Sequence, residues 1–346
     1  MKQLYLIALL VLGASLTTYA QKSCIHGVHG EGKCPGIMGL PYDIDAFTPP
    51  PAEFNYGGER AVIINVNYNG FTPQAQTAFQ YAVDIWASLL TSDVPIQVDA
   101  TWEDIEGTVL GFAGANGFYP GVAGQDPDVY YPAALADKLS GFNLAPGQPD
   151  ITASFDSGTN WYFGLDGNTP AGQFDFVSVV LHELGHGLGI IGSGNVNGST
   201  GFIGFLSSYS PAVYDTFVED NNGMDILDYG DGTTALGNAL TNNNQYWFGS
   251  SGIAGANGGD PRLYVPFEWN QGSSYSHLDE DTYNPGNSNS LMTPFIAPSE
   301  AIHDPGPIVM GMMEDMGWTT DNSGGGCDGL AYQIVLDTDC YGTETT

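Results

Sequence analysis

The stretch FDFVSVVLHELGHGLGIIGSG, residues 174–194, holds His182, Glu183 and His186 in a His-Glu-x-x-His spacing. Side chains four apart on a helix leave from one face, roughly 6 Å from each other, so both imidazoles reach one zinc ion. Glu183 sits one residue round, where it can handle a proton on the metal's water without ligating. Zinc brings the pKa of such a water to about 7, and a carboxylate then takes its proton as the water attacks a carbonyl. A catalytic zinc takes three protein ligands and keeps one position open. The helix supplies two, so a third must come from elsewhere in the chain.

The elements that must position these groups are partly legible. The motif helix is expected from about Asp175 to Leu188. Its first half, Phe176, Val177, Val179, Val180 and Leu181, is continuously apolar, as in a buried helix. Gly185, Gly187 and Gly189 each weaken a helix by roughly 1 kcal/mol relative to Ala, and Gly189 reads as its end. Upstream, AVIINVNYN (61–69) reads as a strand. Thr72-Pro73 opens a helix with Phe79, Ala82, Trp86, Leu89 and Leu90 on one face. Ile96, Val98, Ala100 and Trp102 alternate with polar neighbours as a half-buried strand, and 150–155 reads as another. Residues 107–147 are Gly-rich and loop-like, with a short strand near 129–131. Residues 192–275 carry only weak helical signals, around 211–218. A last helix is expected from about Pro307 to Met316, stopping at Gly317.

Taken together, these residues resemble the metzincin superfamily, whose extended motif is His-Glu-x-x-His-x-x-Gly-x-x-His followed by a Met-turn. His182, Glu183, His186 and Gly189 match, and Gly192 stands where the third His would be. That departure leaves the leishmanolysin-like branch, in which an insertion separates the Gly from the last ligand. Of the six histidines in the chain, His26 and His29 lie in the leader and His277 and His303 follow the motif. His277 lies in SSYSHLDEDTYNPGNSNSLMTPF (273–295), which resembles the branch's closing block: Ser-His, a polar run, then Leu-Met-x-Pro. IVMGMMEDMGW (308–318) resembles its C-terminal helix.

The resemblance implies His277 as third ligand and Met292 as the Met-turn residue, a hydrophobic floor beneath the zinc. It implies a zinc endopeptidase with Glu183 as general base and then proton donor. The implied fold is α+β: a twisted mixed sheet with long helices above a cleft, and an irregular, loop-rich C-terminal half below it. An extended protein or peptide substrate would lie in the cleft, paired with an edge strand. His303, beyond the Met-turn, is expected to help bind substrate or cap the last helix. Three other readings stand beside this one. A gluzincin arrangement would take a Glu as third ligand, with Glu219 the nearest. A binding or adhesion module could retain the fold with decayed chemistry, against which Glu183 speaks. A zinc hydrolase could act on a non-peptide substrate.

Composition bounds the setting. Six Lys and Arg oppose 39 Asp and Glu, a net charge of −33. Such a surface repels phosphate backbones and anionic lipid, which argues against nucleic-acid and membrane partners. The chain begins MKQLYLIALLVLGASLTTYAQ: a basic Lys2, an apolar run from Leu4 to Leu16, and a small-x-small site ending at Ala20. This reads as a secretory signal peptide, hence a secreted protein. In an exported chain, Cys24, Cys34, Cys327 and Cys340 are expected to form the local disulfides 24–34 and 327–340. A metal set of Cys24, His26, His29 and Cys34, or a leader cysteine on the catalytic zinc, is the alternative. The expected organisation is a signal peptide (1–20), a Cys/Gly/Pro-rich irregular leader (21–58), a catalytic domain (59–320) and a tail (321–346) that opens a truncated β-domain or closes the domain with a strand. Asp220, Asp225, Asp228 and Asp231 lack EF-hand spacing and read as a solvated loop.

Overall fold

The computed structural model describes residues 36–58, 60–205 and 210–320. The expected signal peptide, both expected disulfides and the tail lie outside these residues. Among the described residues no helix is long and apolar enough to cross a membrane.

The fold is α+β. Its main sheet has three parallel strands, Ile64–Asn69, Ile96–Glu103 and Ile151–Asp156, in register Val66↔Val98 and Ala100↔Ala153. A fourth strand, Gly111–Ala115, runs antiparallel on the edge. In the second strand Ile96, Val98 and Ala100 are buried while Gln97, Asp99 and Thr101 are half-exposed, so one face is left for helices to cover.

The helix Pro73–Leu89 and the motif helix, Phe176–Leu188, cover it. The helix Pro73–Leu89 starts as its sequence dictates: the Thr72 hydroxyl accepts from the Ala75 amide and Pro73 occupies the first turn. Trp86 is fully buried, and its indole N–H donates to the Leu181 carbonyl of the motif helix at 2.9 Å. Leu90 leaves the helix in extended conformation and joins the short strand Leu90–Thr91, antiparallel to Thr319–Thr320. The last helix, Gly306–Met316, stops at Gly317, whose φ is 116°. Just beyond it the Trp318 indole donates to the Leu188 carbonyl at 3.0 Å, joining this helix to the end of the motif helix.

Three segments hold more structure than expected. Residues 107–147 include the sheet's edge strand, the antiparallel pair Phe118–Pro120 and Tyr130–Pro132, and the helix Ala133–Ser140. The edge strand, GFAGA, lacks β-branched residues because it packs closely: a Cβ at Gly111 would lie 2.9 Å from the Phe155 ring. Residues 192–275 form the hairpin Gly194–Asn197 with Thr200–Ile203, the ladder Val218–Asp220 with Gln245–Trp247, and the short helices Thr234–Ala239 and Ser250–Gly255. The leader is not wholly irregular either. Met38–Gly39 pairs parallel with Phe295–Ile296, and Ala46–Thr48 pairs parallel with Glu300–Ile302.

Candidate metal centre and its groove

Every residue of the motif helix, Phe176–Leu188, is buried. Asp175 caps it, accepting from the Ser178 amide at 2.8 Å and the Ser178 hydroxyl at 2.6 Å. Its glycines lose helix propensity and are required by packing. A Cβ at Gly185 would lie 2.8 Å from the Met292 sulfur, and one at Gly187 would collide with the Ile151 side chain. Gly189, at φ 136°, ends the helix.

The helix brings His182 and His186 together, and the chain returns far downstream to add His277. The three Nε2 atoms stand 3.0 Å (182 to 186), 3.2 Å (186 to 277) and 3.2 Å (277 to 182) apart. Each Nδ1 faces a backbone carbonyl: His182 that of Leu291 at 2.6 Å, His186 that of Ile190 at 2.6 Å, His277 that of Ser273 at 2.7 Å. A carbonyl can only accept, so each Nδ1 carries the ring proton and each Nε2 presents a lone pair. All three rings are fully buried. Burial pushes His182 down to about 4 against the pull of the Leu291 carbonyl, and burial, with the neighbouring His182 ring opposing a second proton, pushes His277 well below the usual range. Three neutral imidazoles aiming lone pairs at one point repel one another unless a cation lies between them. This is the group of potential metal ligands found among the described residues.

The segment carrying His277 is held on both sides. The Tyr264 amide donates to the His277 carbonyl at 2.8 Å, and the Leu278 amide to the Met292 carbonyl at 2.8 Å. Tyr275, at φ 76°, turns its ring onto the chain that leaves the motif helix. A Cβ at Gly192 would run into that ring, and the Gly192 amide donates to the Ser276 hydroxyl at 3.0 Å. Position 192 therefore receives the segment that delivers the third histidine. Asp215 buttresses this corner, accepting from the Ser193 amide at 3.0 Å and from the Ser193 hydroxyl, while the Tyr214 hydroxyl donates to the Tyr275 carbonyl at 2.8 Å. Sequence reasoning did not find Asp215, Tyr275 or Ser276. Their one signal is that Tyr275 and Ser276 adjoin His277.

Met292 is fully buried against Gly185, beside the ligand turn. Glu219 sits in the two-stranded ladder with Gln245–Trp247, outside the cluster. His303 caps no part of the last helix. Its Nε2 lies 2.9 Å from Asp175 at the head of the motif helix, both groups fully buried, with Phe47 and Tyr81 edge-on to its ring. Asp220 accepts from Asn222, Met224 and Tyr229, and Asp225 caps the Leu227 amide, so this acidic run shapes turns.

Glu183 is fully buried, and its Oε1 accepts from the Ile37 amide at 2.9 Å. Burial pushes its carboxyl up to about 8, opposed by the Ile37 and Ala113 amides. Ile37 belongs to an extended segment lying between two walls. On one side the Leu110 amide donates to the Ile37 carbonyl and the Gly39 amide to the Thr108 carbonyl, both at 3.0 Å, antiparallel just before the edge strand. On the other, the Met38 amide donates to Pro294 at 3.1 Å and the Leu40 amide to Ile296 at 2.8 Å, parallel. The groove beside the histidines thus holds an extended peptide, and the peptide is the chain's own.

Residues 68–236 match the family model described as SPBPB7E8-like. The match takes in His182, Glu183 and His186 and ends before His277 and Met292. No curated protein and no solved structure matches the chain.

Proposed function

We propose that the chain is a secreted zinc peptidase. The observation that carries this reading is the convergence of three Nε2 lone pairs on one point, with Glu183 on the same turn of helix. Nitrogens bound tetrahedrally to zinc at roughly 2.0–2.1 Å stand about 3.3 Å apart, close to the spacing found. The donor set, three neutral imidazoles held by carbonyls, suits zinc and leaves one coordination position open.

His182, His186 and His277 would hold the metal, with Met292 packed beneath them. Bound zinc supplies a Lewis acid that acidifies water and polarises a carbonyl. Glu183 takes the proton of the attacking water and passes it to the nitrogen of the departing amine. The walls 108–110 and 294–296 offer main-chain donors and acceptors that hold a peptide extended across the site. Zinc analysis of the purified chain, with peptide hydrolysis before and after chelation by a variant in which residues 36–40 no longer fill the groove, tests this. One zinc per chain, with cleavage lost on chelation and restored by zinc, is the expected result. Absence of zinc, or zinc without cleavage of any peptide once the groove is open, overturns it.

A further inference from the structure

The segment 36–40 does more than lie near the site. The Ile37 amide nitrogen is the atom 2.9 Å from Glu183. In peptide hydrolysis the group that takes water's proton delivers it to the leaving nitrogen, so the base faces that nitrogen in a bound substrate. Ile37 N occupies that position, which makes Gly36–Ile37 the bond in register with the base. Both walls hydrogen-bond the segment as they would an added strand. The Ile37 side chain is 1% exposed and belongs to the core, so the groove has an apolar pocket on the far side of that bond. On the near side there is no room: a Cβ at Gly36 would lie 2.5 Å from the Gly111 carbonyl oxygen and 3.2 Å from the Phe112 Cβ.

Resting on the peptidase reading, we propose that residues 36–40 are a built-in pseudosubstrate. They close the groove of this chain, and they report its preference: an extended peptide with glycine before the cleaved bond and a branched aliphatic residue after it. In such a substrate water's oxygen adds to the glycine carbonyl carbon, the C–N bond breaks, and water's proton passes through Glu183 to the new aliphatic amine. The products are a glycine carboxylate and an aliphatic N-terminus.

The test compares the intact chain with Ile37→Asp, which puts a charge in the apolar pocket, and with Gly36→Val, which crowds the Gly111 carbonyl. Thermal unfolding checks that each variant folds, and the two act independently. The probe is a labelled peptide, Pro-Gly-Ile-Met-Gly-Leu, copying residues 35–40, with a version carrying Asp for Ile as control. Anisotropy reads binding, and mass spectrometry reads the cut. The variants should bind the probe at least tenfold more tightly than the intact chain and cut it between Gly and Ile, leaving the control peptide unbound and whole. Equal binding and cleavage by all three proteins, or cutting at other bonds without preference, overturns the pseudosubstrate and leaves the peptidase standing. Tight binding by the variants with no cleavage keeps the groove assignment and overturns the peptidase.

Discussion

Gly185 and Met292 share one space: a Cβ at position 185 would stand 2.8 Å from the Met292 sulfur. The pair joins the helix that carries His182 and His186 to the turn whose Leu291 carbonyl orients His182. Two effects compete when Gly185 is replaced by Ala. Helix propensity gains about 1 kcal/mol, and overpacking of a closed core costs about 1–3 kcal/mol. The packing term is expected to win, so Gly185→Ala lowers stability by up to about 2 kcal/mol. Met292→Ala alone opens a cavity and costs about 2–5 kcal/mol. Together the two changes should cost less than their sum, because the new methyl enters space the sulfur leaves. Denaturant unfolding of the four proteins measures that coupling, and strict additivity would show that the contact carries no energy.

In the proposed mechanism Glu183 handles protons and ligates nothing. Glu183→Gln keeps an oxygen that can accept from the Ile37 amide and cannot take a proton from water. Zinc content should be unchanged, while peptide hydrolysis by the opened groove falls by roughly 10²–10⁴-fold. Retention of most activity would assign the base elsewhere.

His277 and His303 are both fully buried and should answer differently to replacement by Ala. His277→Ala removes one of the three proposed ligands, so zinc affinity is expected to fall by orders of magnitude. His303→Ala leaves the three histidines of the cluster in place and removes one of several donors to the buried Asp175 carboxylate, which keeps Ser178 and Thr169. Removing one partner from a buried polar group costs about 1–3 kcal/mol, so this variant should bind zinc one-to-one and melt early. Metal analysis beside thermal unfolding separates the two roles. Loss of zinc from both variants would place His303 in the metal's support.

Local chemistry was legible where spacing along one helix decides it: His182, Glu183 and His186 on one turn, Gly189 as its end, Thr72-Pro73 as a helix start. His277 and Met292 carry no such periodicity, and only the likeness of the block 273–295 singled them out. Their closure on the motif helix is a long-range event made by Tyr275, Ser276 and Gly192. The apparent gap at Gly192 is the mark of that closure, since only a residue without a side chain admits the Tyr275 ring. The edge strand Gly111–Ala115 hid behind its glycines and alanines, chosen for close approach rather than strand propensity. The strand role of Met38–Gly39 had no local trace, because its partners are on opposite sides of the groove and one of them is Phe295–Ile296.

The last prediction concerns a buried pair of acids at the start of the strand Ile151–Asp156. Asp150 is 3% exposed and accepts from the Gln97 amide at 2.7 Å. Burial pushes its carboxyl up to about 7, with the Gln97 amide opposing and Asp137 beside it adding to the rise. Asp137 is itself raised, chiefly by burial. The ordinary value is 3.8, so the folded chain holds a proton that the unfolded chain gives up earlier. Below about pH 4 both states are protonated and the stabilisation is fully present. As pH rises towards 7 the unfolded state ionises first and gains, and above the folded value the contribution is gone. Asp150→Asn mimics the protonated form and still accepts from Gln97, so it does not lose this contribution. His182, pushed down to about 4, acts in the opposite sense but equally in both proteins, so their difference isolates Asp150. Denaturant unfolding of the metal-free proteins at pH 4.5 and pH 7.5 should therefore show the wild type losing up to a few kcal/mol relative to the variant over that interval. Parallel pH curves would mean that burial does not raise the Asp150 carboxyl in the folded chain.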